Sequence, residues 1–212
     1  MRVESRPNDK IALLLDDGFV RSALTQSRPE PIVSSDEIVQ VCERILDHQR
    51  LANGSLYRIF YYDSLPYDGT VTNPMDGFQT NYKTSPLGIA NKRLIEELEQ
   101  ESDFAVRRGV LLRQGFKIKQ RSLQEIASTR RAIEPKDLIP DFKQKGVDIR
   151  IGLDMARIAL NRLVDILVLV TGDSDFVPVM KFARTEGLKV YLVTFGRRVR
   201  PELRAHADCV PS

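Results

Sequence analysis

The sequence predicts an α/β protein built on an open, mostly parallel sheet, and three observations carry that expectation. Residues 10–15 (KIALLL) and 166–170 (ILVLV) are apolar almost throughout with no alternation, the pattern of strands buried on both faces. Each run ends in aspartates and passes at once into a helical pattern, and in open α/β sheets the carboxyl ends of the strands are where ligands bind. The chain has 212 residues, 42% of them hydrophobic, enough to bury one substantial core. A single domain spanning 1–212 is therefore expected.

The first strand stops at Asp16–Asp17–Gly18–Phe19, ahead of the helical-looking VRSALTQ. Asp16 is a ligand candidate, whereas Asp17 with Gly18 reads as turn chemistry. Pro29 and Pro31 break the chain, and Ser34–Ser35–Asp36 caps a helix over 37–53 that Gly54 ends. A second strand is expected over 56–62. Residues 63–86, with Pro66, Gly69, Pro74, Gly77 and Pro86, read as a long loop, which a helical pattern over 89–102 follows. Together they form an insertion of about 63–103, and long loops in compact domains tend to be functional or mobile. A strand-like stretch covers 104–119, and a polar region runs on through Lys145.

Asp148 reads as the N-cap of a helix whose apolar residues Ile151, Met155, Ile158 and Leu163 recur at helical spacing. Asp154 lies inside that helix. It is either a solvated aspartate on the outer face or a buried acid that needs a partner. After the strand at 166–170, Gly172 allows a tight turn that brings Asp173 and Asp175 toward one point. Two such carboxylates repel each other by roughly 1–4 kcal/mol, so a compensating cation or donor set is expected beside them. Ser174 or Asp175 as the cap of the helix through Phe176, Val179, Met180 and Ala183 is the competing reading, and it leaves one aspartate unexplained.

Several function classes are excluded. No stretch is apolar enough to span a bilayer, and the polar start lacks a signal peptide's apolar region, so a cytoplasmic protein with no membrane partner is expected. Cys42 and Cys209 are too few for a disulfide scaffold or a zinc site, and His48 and His206 stand isolated, without the neighbours of a catalytic triad. The net charge of +3 says little, but residues 107–150 carry twelve basic against five acidic side chains. An acid-lined phosphate site needs cations at its rim. Lys145, Arg130 and Arg131 are the substrate-binding candidates in this segment. A basic tail of about 196–212 adds Arg197, Arg198, Arg200 and Arg204, where a merely solvated face is an even alternative. Tyr61, Tyr62, Tyr67, Phe78 and Tyr82, in or beside the long loop, are placed to stack bases, with core packing equally open for Tyr61.

Three segments together resemble the NYN domains, which include the bacterial LabA-like proteins and form a branch of the PIN-like nucleases. These are the Asp-Asp-Gly-Phe opening after the first strand, the QKGVD-x5-D segment, and TGDSDFVPVMKFARTEGLKVYLV. The resemblance extends from Ile11 to about Phe195, and the third motif is the most specific. It implies a doubly wound parallel sheet in a three-layer sandwich, whose strand ends gather acids around Mg²⁺ or Mn²⁺. Carried over by position, those acids are Asp16, Asp154, Asp173 and Asp175, expected to be both metal-binding and catalytic; Asp148 matches a recurrent acid of the family as well as a cap. Many members have Asp-Gly-x-Asn in the opening motif, and here Phe19 stands in place of the asparagine.

The activity this implies is metal-dependent hydrolysis of RNA. Single-stranded RNA is the expected partner, and self-association into a homodimer is allowed. Two alternatives stay open. One is a non-catalytic RNA-binding or regulatory LabA-like protein, which the missing asparagine favours; the other is a phosphatase of the haloacid dehalogenase type. The latter requires a second acid two residues after the nucleophile, where this chain has Gly18.

Overall fold

The structure, a computed structural model, describes residues 8–29 and 31–211. Among them the strands are β1 (Lys10–Asp16), β2 (Ser55–Ser64), β3 (Thr70–Thr72), β4 (Gln79–Asn81), β5 (Phe104–Ile118), β6 (Leu138–Lys145), β7 (Ile166–Val170) and β8 (Lys189–Val193). The helices are α1 (Asp17–Leu24), α2 (Ser35–Leu46), α3 (Pro86–Leu98), α4 (Gln120–Thr129), α5 (Val147–Leu160), α6 (Val177–Thr185) and α7 (Pro201–Ala205). Six strands make one sheet in the order β6-β5-β2-β1-β7-β8, parallel except for the edge strand β6.

Alternation along β1 divides the core into two layers. Ala12 and Leu14 face α5, α6 and α7 through Ile151, Met155, Met180 and Leu203. Ile11, Leu13 and Leu15 face α1, α2 and α3 through Val20, Ile38, Val41 and Leu94. Helices on both faces of the sheet account for the absence of polar residues inside β1 and β7, and the expected three-layer α/β sandwich is what forms.

Local chemistry fixes the helix starts. The Ser34 side chain accepts from the Glu37 N–H while Glu37 reaches back to the Ser34 N–H, a reciprocal cap at the head of α2. In α3, Ser85 caps Gly88 and Pro86 stands in the first turn. The expected helix over 37–53 stops at Leu46; turns follow, and they carry Leu51 into the core, where it is 1% exposed.

Two expectations needed correction. The loop at 63–86 contains the short β3–β4 hairpin, closed near Gly77 at φ 73°. The polar region before Lys145 contains α4 and β6. The edge position of β6 tolerates Pro140, which has no N–H to offer the ladder, and its polar sequence LIPDFKQK conceals the strand from a hydrophobic pattern. Residues 104–109 of β5 pair with β2, but from Val110 onward its partner is β6 alone. This β5–β6 arm rises past the carboxyl edge of the sheet by roughly 25–30 Å, at ~3.3 Å per residue, with α4 at its tip.

Candidate active site

Chain order reverses at the centre of the sheet, because β1 is followed by β2 on one side and carries β7 on the other. Such a reversal opens a crevice beyond the carboxyl ends of the two central strands. Asp16 ends β1 there, and Thr171–Gly172–Asp173 leaves β7 beside it. The fully buried Thr171 hydroxyl donates to Asp16 Oδ2 at 2.8 Å and accepts the Asp173 N–H at 3.2 Å, which ties the two strand ends together. Asp173 Oδ1 in turn accepts the Asp175 N–H at 2.9 Å, capping a single 3-10 turn, Ser174–Phe176. Asp173, rather than Ser174 or Asp175, is thus the cap, and the exposed Asp175 carboxylate stands free of that duty.

Charge repulsion links these groups to the head of α5. Burial, together with Asp148 and Asp17, raises the pKa of Asp16 above the usual carboxylate value, against the Thr171 hydrogen bond. Asp148 is raised as well, by partial burial and by Asp173 and Asp175. Asp16, Asp148, Asp173 and Asp175 therefore form one electrostatic group.

Asp154 does not join it. Two turns along α5, its Oδ2 accepts the Tyr62 hydroxyl at 3.0 Å and the Arg107 Nε at 2.9 Å, in a hollow it shares with Phe60 and Arg157. On this helix it is Asp148, in the first turn, that interacts with Asp173 and Asp175.

The cations of the crevice come from the tail. Arg197, Arg198 and Arg200 line a cleft of about 570 Å³ together with Asp16 and Asp173. Arg197 is held by the Ser22 hydroxyl at 3.0 Å and lies over the Phe19 ring, 5.5 Å from its centroid. Arg200 donates to Ser174 Oγ at 3.2 Å. The basic tail thus lines the cleft instead of forming only a solvated face. Lys145 is exposed at the base of the arm, opposite Val110. Arg130 and Arg131 lie at its tip, just past α4. Arg131 is committed to Asp137, at 2.7 and 2.8 Å, and to Glu125, at 3.2 Å, and holds the Asp137 carboxyl well below the usual range. That pairing holds the Arg131 guanidinium against the arm's own acids.

Asp17, read from the sequence as turn chemistry, is 1% exposed. It accepts from the Tyr61 hydroxyl and pairs with Arg21, whose Nη2 also reaches Asp63 Oδ2 at 2.7 Å. Asp63 Oδ1 takes the Ser64 N–H at 2.6 Å and the Gln144 amide at 3.2 Å. Burial raises both acids, and with one guanidinium between two carboxylates the pair keeps a proton well above the ordinary range.

The donor set suits a hard divalent cation: it is all oxygen, and ion binding would relieve the repulsion between Asp16 and Asp148. Among the described residues no three acid, His or Cys side chains converge closely enough to cage an ion. Mg²⁺ keeps several waters and commonly takes only one or two carboxylates directly, so this acid group fits it without such a cage.

Together, fold and crevice define an α/β protein with acids at the switch point of a parallel sheet and arginines along the rim. The chain belongs to the NYN domain family, whose pattern matches residues 33–210. The fold accords with the PIN-like nuclease class. Among solved structures it is similar to a protein of unknown function from Vibrio parahaemolyticus, with a TM-score of 0.52 and 18% identity over 98% of this chain and 94% of the other. No curated protein matches it. Among the described residues no helix is long and apolar enough to cross a membrane.

Proposed function

We propose that this protein is a metal-dependent ribonuclease that hydrolyses phosphodiester bonds of single-stranded RNA in the crevice between β1 and β7. The observation that carries the reading is the half-buried Asp16 carboxylate, grouped with Asp148, Asp173 and Asp175 and faced by Arg197, Arg198 and Arg200 across one cleft. Arginines around acids would be self-defeating for a purely anion-binding or purely cation-binding site. The combination suits a phosphodiester held against a divalent ion.

Asp16 and Asp173 would hold Mg²⁺ or Mn²⁺, with Asp148 and Asp175 reaching it through water. When bound, the ion supplies Lewis-acid stabilisation of the charge that develops on the phosphoryl oxygens. The chain's own contribution is positioning. Thr171 fixes Asp16, the Asp173 cap fixes the turn after β7, and Arg198 and Arg200 draw the RNA backbone into the cleft.

A non-catalytic, RNA-binding protein is the second reading, and one observation favours it. Phe19 takes the place of a polar residue, its ring stacks on Phe195 at 6.0 Å, and it lies so close to Gly172 that a side chain there would collide with it. The crevice floor is thus partly apolar. Family membership leaves the phosphatase reading without support.

Cleavage of labelled single-stranded RNA in Mn²⁺ and in EDTA separates the two. Asp16→Asn and Asp173→Asn keep side-chain shape, so folding and RNA binding should persist while cleavage falls by at least about a hundredfold, each having lost a charged oxygen. Native protein that binds RNA but leaves it intact with either ion would establish the non-catalytic reading.

A further inference from the structure

Between α1, α3 and the base of the arm lies a cavity of about 660 Å³ that is separate from the acid crevice. Its wall is an aromatic cluster. Tyr67 stands 5.0 Å from Phe142 and 6.2 Å from Tyr82 between ring centroids, and Tyr82 meets Phe142 edge-on at 5.1 Å. The backbone at Gly69 leaves room for the Tyr67 ring: a Cβ there would fall 2.7–2.8 Å from ring atoms.

Among the described residues, one polar atom on the lining has no partner: the Asn91 amide oxygen is buried and makes no hydrogen bond. Buried polar groups are almost always paired, so each such exception calls for an explanation. An apolar side chain from a partner would fill the aromatic space but leave the Asn91 oxygen unpaired, at the full cost of its desolvation. A planar ring with N–H donors on its edge meets both requirements.

The cavity also adjoins the cleft. Gly18 and Ser22 of α1 line both, so a strand whose phosphate lies among the tail arginines passes directly over the cavity mouth. We infer that this cavity is a base-binding subsite, in which Tyr67, Tyr82 and Phe142 stack a purine and the Asn91 amide oxygen accepts from its N–H edge. The inference deepens the ribonuclease reading by naming which nucleotide the strand presents beside the crevice. Purines are favoured over pyrimidines because of the room available and the larger stacking face.

The test is binding of short single-stranded RNAs, oligo(A) against oligo(U), measured by fluorescence anisotropy in EDTA, so that the result depends on neither metal nor cleavage. Native protein should prefer oligo(A) by about tenfold, in line with the loss that one aromatic stacking partner typically causes. Tyr82→Leu, which keeps apolar bulk, should reduce that preference to near unity while leaving oligo(U) binding unchanged. Asn91→Leu provides the second arm. It removes an unpaired buried acceptor and should raise Tm while it lowers oligo(A) affinity, a combination that a purely structural asparagine would not give. Equal affinity for the two RNAs, or an unaltered preference in both variants, overturns the subsite. Either result leaves the cleavage assay with Mn²⁺ to stand or fall by itself. A purine preference in a protein that cuts no RNA would uphold the subsite and sink the nuclease.

Discussion

Helix geometry decides between Asp148 and Asp154. Six residues along an α-helix amount to about 9 Å of rise and roughly 240° of rotation, so two acids at that spacing cannot both point at one ion. Val147 packs at the carboxyl edge, beside Gly109 and Ser64, so Asp148 is the acid that faces the crevice. Asp148→Asn should reduce RNA cleavage nearly as much as Asp16→Asn. Asp154→Asn should leave it within about threefold and cost about 1 kcal/mol of stability, the scale of a partly exposed ion pair. Equal loss of cleavage in both variants would return Asp154 to the site. The Asp17–Asp63 pair makes a prediction about pH. An unfolded Asp63 titrates near 3.8, whereas burial and Asp17 push it up to about 7 in the folded protein, so the native state binds the proton more tightly than the unfolded chain. Its contribution is therefore most favourable below pH 4 and is lost as pH rises toward 7. Asp63→Asn imitates the protonated acid. Its urea midpoint should match the native one at pH 4 and exceed it at pH 8, by the equivalent of roughly 1–3 kcal/mol. Parallel curves for the two proteins across that range would show that the pair releases its proton early.

At the scale of elements, the two basic segments are built differently. Three of the arm's cations are held in ion pairs: Arg131 with Asp137, Lys117 with Asp141 and Lys136 with Glu134. These pairs hold a protruding hairpin in shape. Arg198 and Arg200, by contrast, stand exposed where the acids are. Each phosphate contact on a single strand contributes about 0.7 to the slope of log affinity against log salt. Replacing Arg198 and Arg200 by Ala should therefore flatten the slope by about 1.4, and replacing Arg130 should leave it unaltered. A slope that responds to Arg130 alone would move the RNA path onto the arm.

For the molecule as a whole, the sequence was informative where burial is uniform and mute where a segment's surroundings set its state. β1 and β7 are legible because both faces of each are covered, and α2 because its cap is local. The acids at both strand ends could be read for the same reason. β6 was hidden because an exposed edge imposes no hydrophobic period, and the β3–β4 hairpin because three-residue strands have none to show. The role of Asp17 depends on Tyr61, Arg21 and Asp63, and only the parallel register of β1 with β2 brings the tyrosine and Asp63 to it. The arginine rim arises because the chain, having left β8, returns across α1 to Ser22, a contact between residues 175 apart.

The Thr171–Asp16 hydrogen bond also places the crevice in time. Its partners are 155 residues apart, and β7 must insert beside β1 before they can meet. At roughly 5–20 residues per second, a ribosome needs on the order of 8–30 s to make that intervening chain. Until then β1 and β2 can pair, but one wall of the crevice does not exist. A growing chain that has not yet reached β7 therefore carries no assembled acid crevice.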